Sequence, residues 1–165
     1  MKRILALVLV AALLPAAAVA ATSKKTLQLR STSLGRVIVD RHGMTLYMLS
    51  ADGRNSSTCS GACASNWPPA KPGRHVTLAK GLKRSKLRVI HRSDGKRQLA
   101  YAGHPLYRYI GDSSRGDVNG EGIVAFGGTW YALGRSGAAV TGAQAQPAPQ
   151  PQPQPSPYPY PYPGY

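Results

Sequence analysis

Acidic side chains are scarce in this sequence, with six Asp and Glu against 21 Lys and Arg in 165 residues and a formal net charge of +15. Sustained helical stripes are also missing, so any helix is expected to be short and is placed within Cys59 to Asn66. Only two cysteines occur, and neither lies near the start of the chain, where a lipid would be attached. Their C-x₃-C spacing matches neither the C-x₂-C of zinc and thioredoxin-like sites nor the C-x₂-C-H of haem attachment. There is no G-x-S-x-G, and the serines of Arg54 to Gly61 have no assigned base, so nothing marks a hydrolase. Asp117-Val118-Asn119-Gly120 holds part of a calcium loop, but that register would put Arg115 first and Phe126 twelfth. It reads instead as a turn cap.

What is present begins with a leader. Lys2 and Arg3 precede an apolar run from Ile4 to Leu14 and the small residues Ala16, Ala17, Ala18 and Ala20. This predicts a secretory signal peptide over 1–20, cut after Ala20, and hence a periplasmic or cell-wall location with no membrane span in the mature chain. Residues 21–34 read as a linker, 35–136 as one domain, and 137–165 as a tail. From Gln144 on, proline at nearly every second position removes backbone donors, which predicts a polyproline II-biased spacer carrying Tyr158, Tyr160, Tyr162 and Tyr165.

Within the domain, apolar residues alternate over Arg36 to Asp40, Thr45 to Leu49, Leu87 to His91 and Gln98 to Tyr101, which is the period of strands. Ser93-Asp94-Gly95 supplies a hairpin turn between two of them. The chain also repeats itself at an offset of sixty: Gly35 to Asp52 aligns with Gly95 to Asp112, matching Leu46 with Leu106, Tyr47 with Tyr107 and Asp52 with Asp112. The expected fold is mainly β, a small antiparallel meander of two related hairpin repeats whose Leu-Tyr strands each have one buried face and which pack as a pair. Asp52 and Asp112 follow a strand in equivalent copies, so they read as paired turn residues in preference to acid/base carboxylates.

Tyr107-Arg108-Tyr109-Ile110-Gly111-Asp112 fits Y-x-[FWY]-x-x-D, and Tyr47 to Asp52 fits it with Leu49 in place of the aromatic. With Cys59-Ser60-Gly61-Ala62-Cys63, Trp67-Pro68-Pro69, Gly103-His104-Pro105-Leu106-Tyr107 and Trp130-Tyr131 following in order, the chain resembles the bacterial predicted lipoproteins with that motif, the secreted repeat of unknown function. The resemblance covers most of Gly35 to Ser136 and implies an extracytoplasmic envelope protein without an established activity. It points to Tyr47, Asp52, Trp67, Tyr107, Tyr109, Asp112 and Trp130 as the family's motif positions.

Two chemistries remain open at the cysteines. In an oxidising compartment Cys59 and Cys63 are expected to form a disulfide that stabilises by only about 2 kcal/mol, because the loop is short. The alternative is a copper(I) or redox site on the two thiolates, with His42, His75, His91 or His104 adding a nitrogen. Charge supplies the partner hypothesis. Lys71 to Arg97 carries ten Lys and Arg with Asp94 as its one acid, and Lys80, Lys83, Arg84, Lys86 and Arg88 are the candidate contacts for an anionic envelope polymer or lipid head groups. The segment has no aromatic residue, which argues against a single-stranded nucleic acid. The expectation is a non-catalytic envelope module, with no cofactor unless copper occupies the cysteines.

Overall fold

The computed structural model describes residues 25–141, so the signal segment and the proline-rich stretch from 142 onward lie outside the described residues. In chain order the elements are β1 (Leu27–Thr32), β2 (Gly35–Asp40), β3 (Tyr47–Leu49), α1 (Ala62–Asn66), β4 (Leu87–His91), β5 (Arg97–Tyr101), β6 (His104–Pro105), β7 (Val124–Ala125) and β8 (Gly128–Ala132). All strand pairings between them are antiparallel. They form a β1–β2 hairpin, a β4–β5–β6 sheet and a β3–β8–β7 sheet. The expected antiparallel architecture of two repeats, with one short helix beside the cysteines, is the one observed.

The two-residue side-chain period decides where the core lies. Val37 and Val39 of β2 face an aromatic core built on Tyr47, Trp67, Tyr107 and Trp130, while Ile38 between them faces an aliphatic core with Leu27, Leu46, Leu99 and Leu106. The Leu-Tyr pairs divide in the same way: Leu46 and Leu106 enter the aliphatic core, Tyr47 and Tyr107 the aromatic one. The sequence reading gave these strands a single buried face. They are buried on both, because each lies between two cores.

The boundaries also move outward. Leu27–Thr32, expected within the linker 21–34, is strand β1, paired along its length with β2. Beyond Ser136 the chain turns back: Gly134 N donates to Ala138 O, Val140 N donates to Ala132 O, and Val140 packs on the aromatic core. A leucine and a valine spaced to bury explain both extensions, and a composition shift cannot see them.

The repeat is real in space, but its register is not uniform. Leu27 opens β1 as Leu87 opens β4. Ile38 and Leu99, sixty-one apart, occupy matching positions, since Ile38 N donates to Leu133 O and Ile38 O accepts from Leu46 N, while Leu99 N donates to Ala70 O and Leu99 O accepts from Leu106 N. The second hairpin loop is thus one residue longer, and the turn after β5 one shorter. Gly35 lies at the start of β2, whereas Gly95 sits in the loop with φ of 74°, where a residue without Cβ is favoured. From Leu46 and Leu106 to Asp52 and Asp112 the offset returns to sixty.

Candidate functional site

The motif residues meet at an approximate two-fold axis. Tyr47 N donates to Tyr107 O at 2.9 Å and Tyr107 N to Tyr47 O at 3.0 Å. Each repeat then completes the other. β3 pairs with β8, placing Leu49 opposite Trp130, and the segment from Tyr107 pairs with Pro69 in the first repeat. Trp67 and Trp130 stack face to face at 3.8 Å with planes 1° apart, and Tyr47 and Tyr107 meet them edge-on at 5.4 and 5.1 Å. Tyr109 covers the other side of Trp67 at 4.3 Å. Its counterpart Leu49 is buried in the same core, so the first repeat fills that place with an aliphatic group.

The aspartates cross the axis too. Tyr47 donates its hydroxyl to Asp112 Oδ2 at 2.7 Å, and Tyr107 donates to Asp52 Oδ2 at 2.6 Å. The other oxygen of each aspartate accepts a loop amide, Thr58 N at 2.7 Å for Asp52 and Asn119 N at 2.9 Å for Asp112. Asp52 and Asp112 are therefore turn residues and also the acceptors that lock the opposite repeat's tyrosine. Burial, reinforced by the neighbouring carboxylate, pushes both phenols well above their ordinary range. Burial also raises the Asp112 carboxyl, to about 6. Both phenols are hydrogen-bond donors and not bases.

The two crossings differ in one respect. Around Tyr107 the network continues through Ser57 Oγ, 2.7 Å away, to Arg92, which donates to Ser57 Oγ at 2.8 Å, Gln98 Oε1 at 2.7 Å and Cys59 O at 2.5 Å. Arg92 is 7 % exposed and pairs with Asp94. Around Tyr47 the second partner is the Gly120 amide, at 3.2 Å.

Cys59 and Cys63 are joined in a disulfide, with Cα atoms 5.3 Å apart, at the entry to α1. The sulfurs are bonded to each other, and among the described residues no three His, Cys, Asp or Glu side chains gather as a metal-holding group. His42 lines a cleft, His75 and His91 are exposed, and His104 is held below its ordinary range first by burial and then by Arg54. Asp117 accepts from Ser113 N at 3.0 Å and Ser114 N at 2.7 Å, a turn cap as expected.

The five candidate basic residues do not form one free surface. Arg84 donates to Val76 O at 2.7 Å, Lys86 to Ser136 O at 2.5 Å, and Arg88 to Leu87 O at 2.8 Å. These groups brace the loop that precedes β4. Lys80 and Lys83 are exposed, and Lys86 and Arg88 border a small recess with Arg54. Within β4 Leu87 is buried, whereas Val89 is 41 % exposed.

A different basic site emerges. A cleft of about 580 Å³ opens between the first hairpin, α1 and the second hairpin, and Arg41, Lys71, Lys96, Arg97 and Arg108 line it, all exposed. Its two carboxylates are already engaged. Asp40 accepts from His42 N and Met44 N and lies 3.8 Å from Arg108, and Asp94 is flanked by Arg92 and Lys96. Arg41, Lys71 and Arg97 make no ion pair among the described residues. Sequence reading missed this site because its residues come from four separate stretches: Lys71, Lys96 and Arg97 stand at the ends of the basic segment Lys71 to Arg97, whose middle was singled out, and Arg41 and Arg108 lie outside it.

No helix among the described residues is long and apolar enough to cross a membrane. No curated protein and no solved structure matches the chain. The family described as a secreted repeat of unknown function matches residues 28–71 and 88–133, the two halves that meet at the Tyr47–Tyr107 axis. Those stretches make up more than half of the 165 residues. The location is accordingly extracytoplasmic, and the chain belongs to this family of secreted repeats of unknown function.

Proposed function

We propose that the protein is a non-catalytic extracytoplasmic module that binds an anionic component of the cell envelope through the cleft lined by Arg41, Lys71, Lys96, Arg97 and Arg108. The observation that carries this reading is the convergence of five exposed basic side chains on one concavity whose two carboxylates are already engaged. Guanidinium forks match phosphate and carboxylate geometry, and a concave wall of one sign concentrates counter-ions. The ion pairs of Lys96 and Arg108 are long and both cations are exposed, so each is free to turn to an arriving anion at little cost. No Phe, Tyr or Trp ring lines the cleft, which disfavours stacked bases as the ligand. The non-catalytic reading is supported by the Tyr–Asp pairs, whose hydroxyls and carboxylates are turned into the core and spent on each other.

The test is a binding isotherm of the protein with polygalacturonate, a carboxylate polymer, and with polyphosphate, repeated at rising salt. Affinity should fall steeply as salt rises, because bound counter-ions are released on association. Arg41→Gln with Arg97→Gln and Arg108→Gln should weaken binding by at least about tenfold, while replacing Lys80, Lys83 and Arg84 should leave it within about twofold. Binding unaffected by the cleft substitutions, or insensitive to salt, would sink the reading.

A further inference from the structure

Arg30 and Arg115 line one recess that no carboxylate lines. Arg30 sits on β1 and Arg115 in the loop after Asp112, yet both side chains close over Gly43: a Cβ there would lie 3.2 Å from Arg30 Nη2 and 3.2 Å from Arg115 Cγ. Gly43 has φ of 87°, and its carbonyl accepts from Gly116 N at 3.0 Å, which ties the Arg115 loop to the turn after β2. Gly116 in turn leaves the Arg30 stem its path, since a Cβ on it would meet Arg30 Cδ at 3.0 Å. Neither arginine is in an ion pair among the described residues. They border a second recess of about 400 Å³, and Arg41 and His42 line both this recess and the main cleft. The two are therefore neighbours that share one wall.

From this continuity we infer that the ligand is a linear polyanion, which runs from the main cleft past Arg41 and across Gly43 to Arg30 and Arg115. This inference rests on the proposed function and specifies its ligand. A single phosphate or carboxylate satisfies one recess only, whereas a chain with an anionic group on successive units places one charge in the main cleft and another between Arg30 and Arg115. A concave track with no Phe, Tyr or Trp ring along it suits a sugar or polyol chain carrying carboxylates or phosphodiesters better than a flat bilayer or a nucleic acid.

The experiment measures affinity of the full chain for galacturonate oligomers and for polyphosphates of increasing length, with phosphatidylglycerol vesicles and a single-stranded oligonucleotide as contrasts. Affinity should climb with length until the probe spans both recesses and then level off, in whichever of the two series carries the matching anion. Arg30→Gln with Arg115→Gln should weaken long probes about tenfold and leave the shortest unchanged, whereas Arg41→Gln weakens both. Arg115→Glu alone, at an exposed position, should show the same length-selective loss and guards against a folding defect from the half-buried Arg30. Short and long probes binding equally, or long-probe affinity untouched by either variant, overturns the track while leaving an anion site in the main cleft. Tighter binding to the vesicles or the oligonucleotide than to any long probe also overturns it. Failure of every probe to bind at low salt overturns the proposed function itself.

Discussion

Tyr47 and Tyr107 exchange both backbone hydrogen bonds across the approximate two-fold axis, so the two repeats are joined at a pair of equivalent residues. The hydroxyl of each then reaches an aspartate in the other copy. Neither repeat contains its own acceptor, which makes the domain an obligate pair in the physical sense: one copy alone would leave a buried phenol and its carboxylate unmatched.

Truncation at the axis should therefore be costly in both copies. Tyr47→Ala and Tyr107→Ala should each destabilise by about 3–5 kcal/mol in denaturant melts, as for other large buried aromatics. The Phe variants keep the ring and lose the hydrogen bond, for about 1–3 kcal/mol. A double-mutant cycle of Tyr47→Phe with Asp112→Asn should show coupling of at least about 0.5 kcal/mol. Additive effects would mean that the crossing bond carries no energy of its own.

Gly120 tests the aromatic core by adding volume. A Cβ there would come to 2.8 Å from both Trp67 Cη2 and Tyr47 Cζ, two rings held by the Trp67–Trp130 stack and the Tyr47–Asp112 bond. Gly120→Ala should destabilise by about 1–3 kcal/mol and alter the near-ultraviolet circular dichroism of the stacked tryptophans. An unchanged spectrum with unchanged stability would contradict the packing of that corner.

Asp112 should leave a signature in pH. Burial lifts its carboxyl to about 6 against the lowering hydrogen bonds from Tyr47 and Asn119 N, with the Asp117 charge adding to the rise, whereas an unfolded aspartate titrates near about 3.9. The native state holds the proton longer, so this group's stabilisation is fully present below about pH 4 and is lost as pH rises through 6. The change is on the order of 3 kcal/mol. Asp94, lowered mainly by its bond from Lys96 N, runs the other way, so the reading is the difference between wild type and Asp112→Asn. The variant should gain relative stability between pH 4 and 7; a flat difference would show that the carboxyl ionises normally.

The cysteines separate a brace from a metal site. Cys59→Ser with Cys63→Ser should leave a folded domain less stable by about 2 kcal/mol, since the disulfide closes a short loop that Arg92 also holds through Cys59 O. Copper(I) titrated into the reduced wild type should show no stoichiometric tight site that the double variant lacks. Finding one would make the thiol form of this loop a copper module.

Several features were legible from spacing alone. Val37, Ile38 and Val39 announced a strand because period two is a property of the extended backbone, and the match of Tyr47 with Tyr107 and Asp52 with Asp112 announced two copies. The run Val37-Ile38-Val39 puts apolar groups on both faces of its strand, but it does not name the two cores that cover them. Nor did the linker reading of 21–34 register Leu27 and Leu29, whose burial depends on a partner strand and on loops that arrive later.

What the amino-acid order determined by itself is local. Glycine turns, alternating strands, two cysteines close enough to bond, the repeat and the surplus of positive charge are each written within a short span of chain. Only the tertiary structure decided that each tyrosine takes the other copy's aspartate, that Arg92 is buried while Arg41, Lys71, Arg97 and Arg108 share a cleft, and that Arg30 and Arg115 meet over Gly43. The reason is that an offset of sixty states which residues are equivalent without stating which are neighbours. Antiparallel pairing about an axis brings equivalent residues together only at the axis, and everywhere else it sets each one against a different part of the opposite copy.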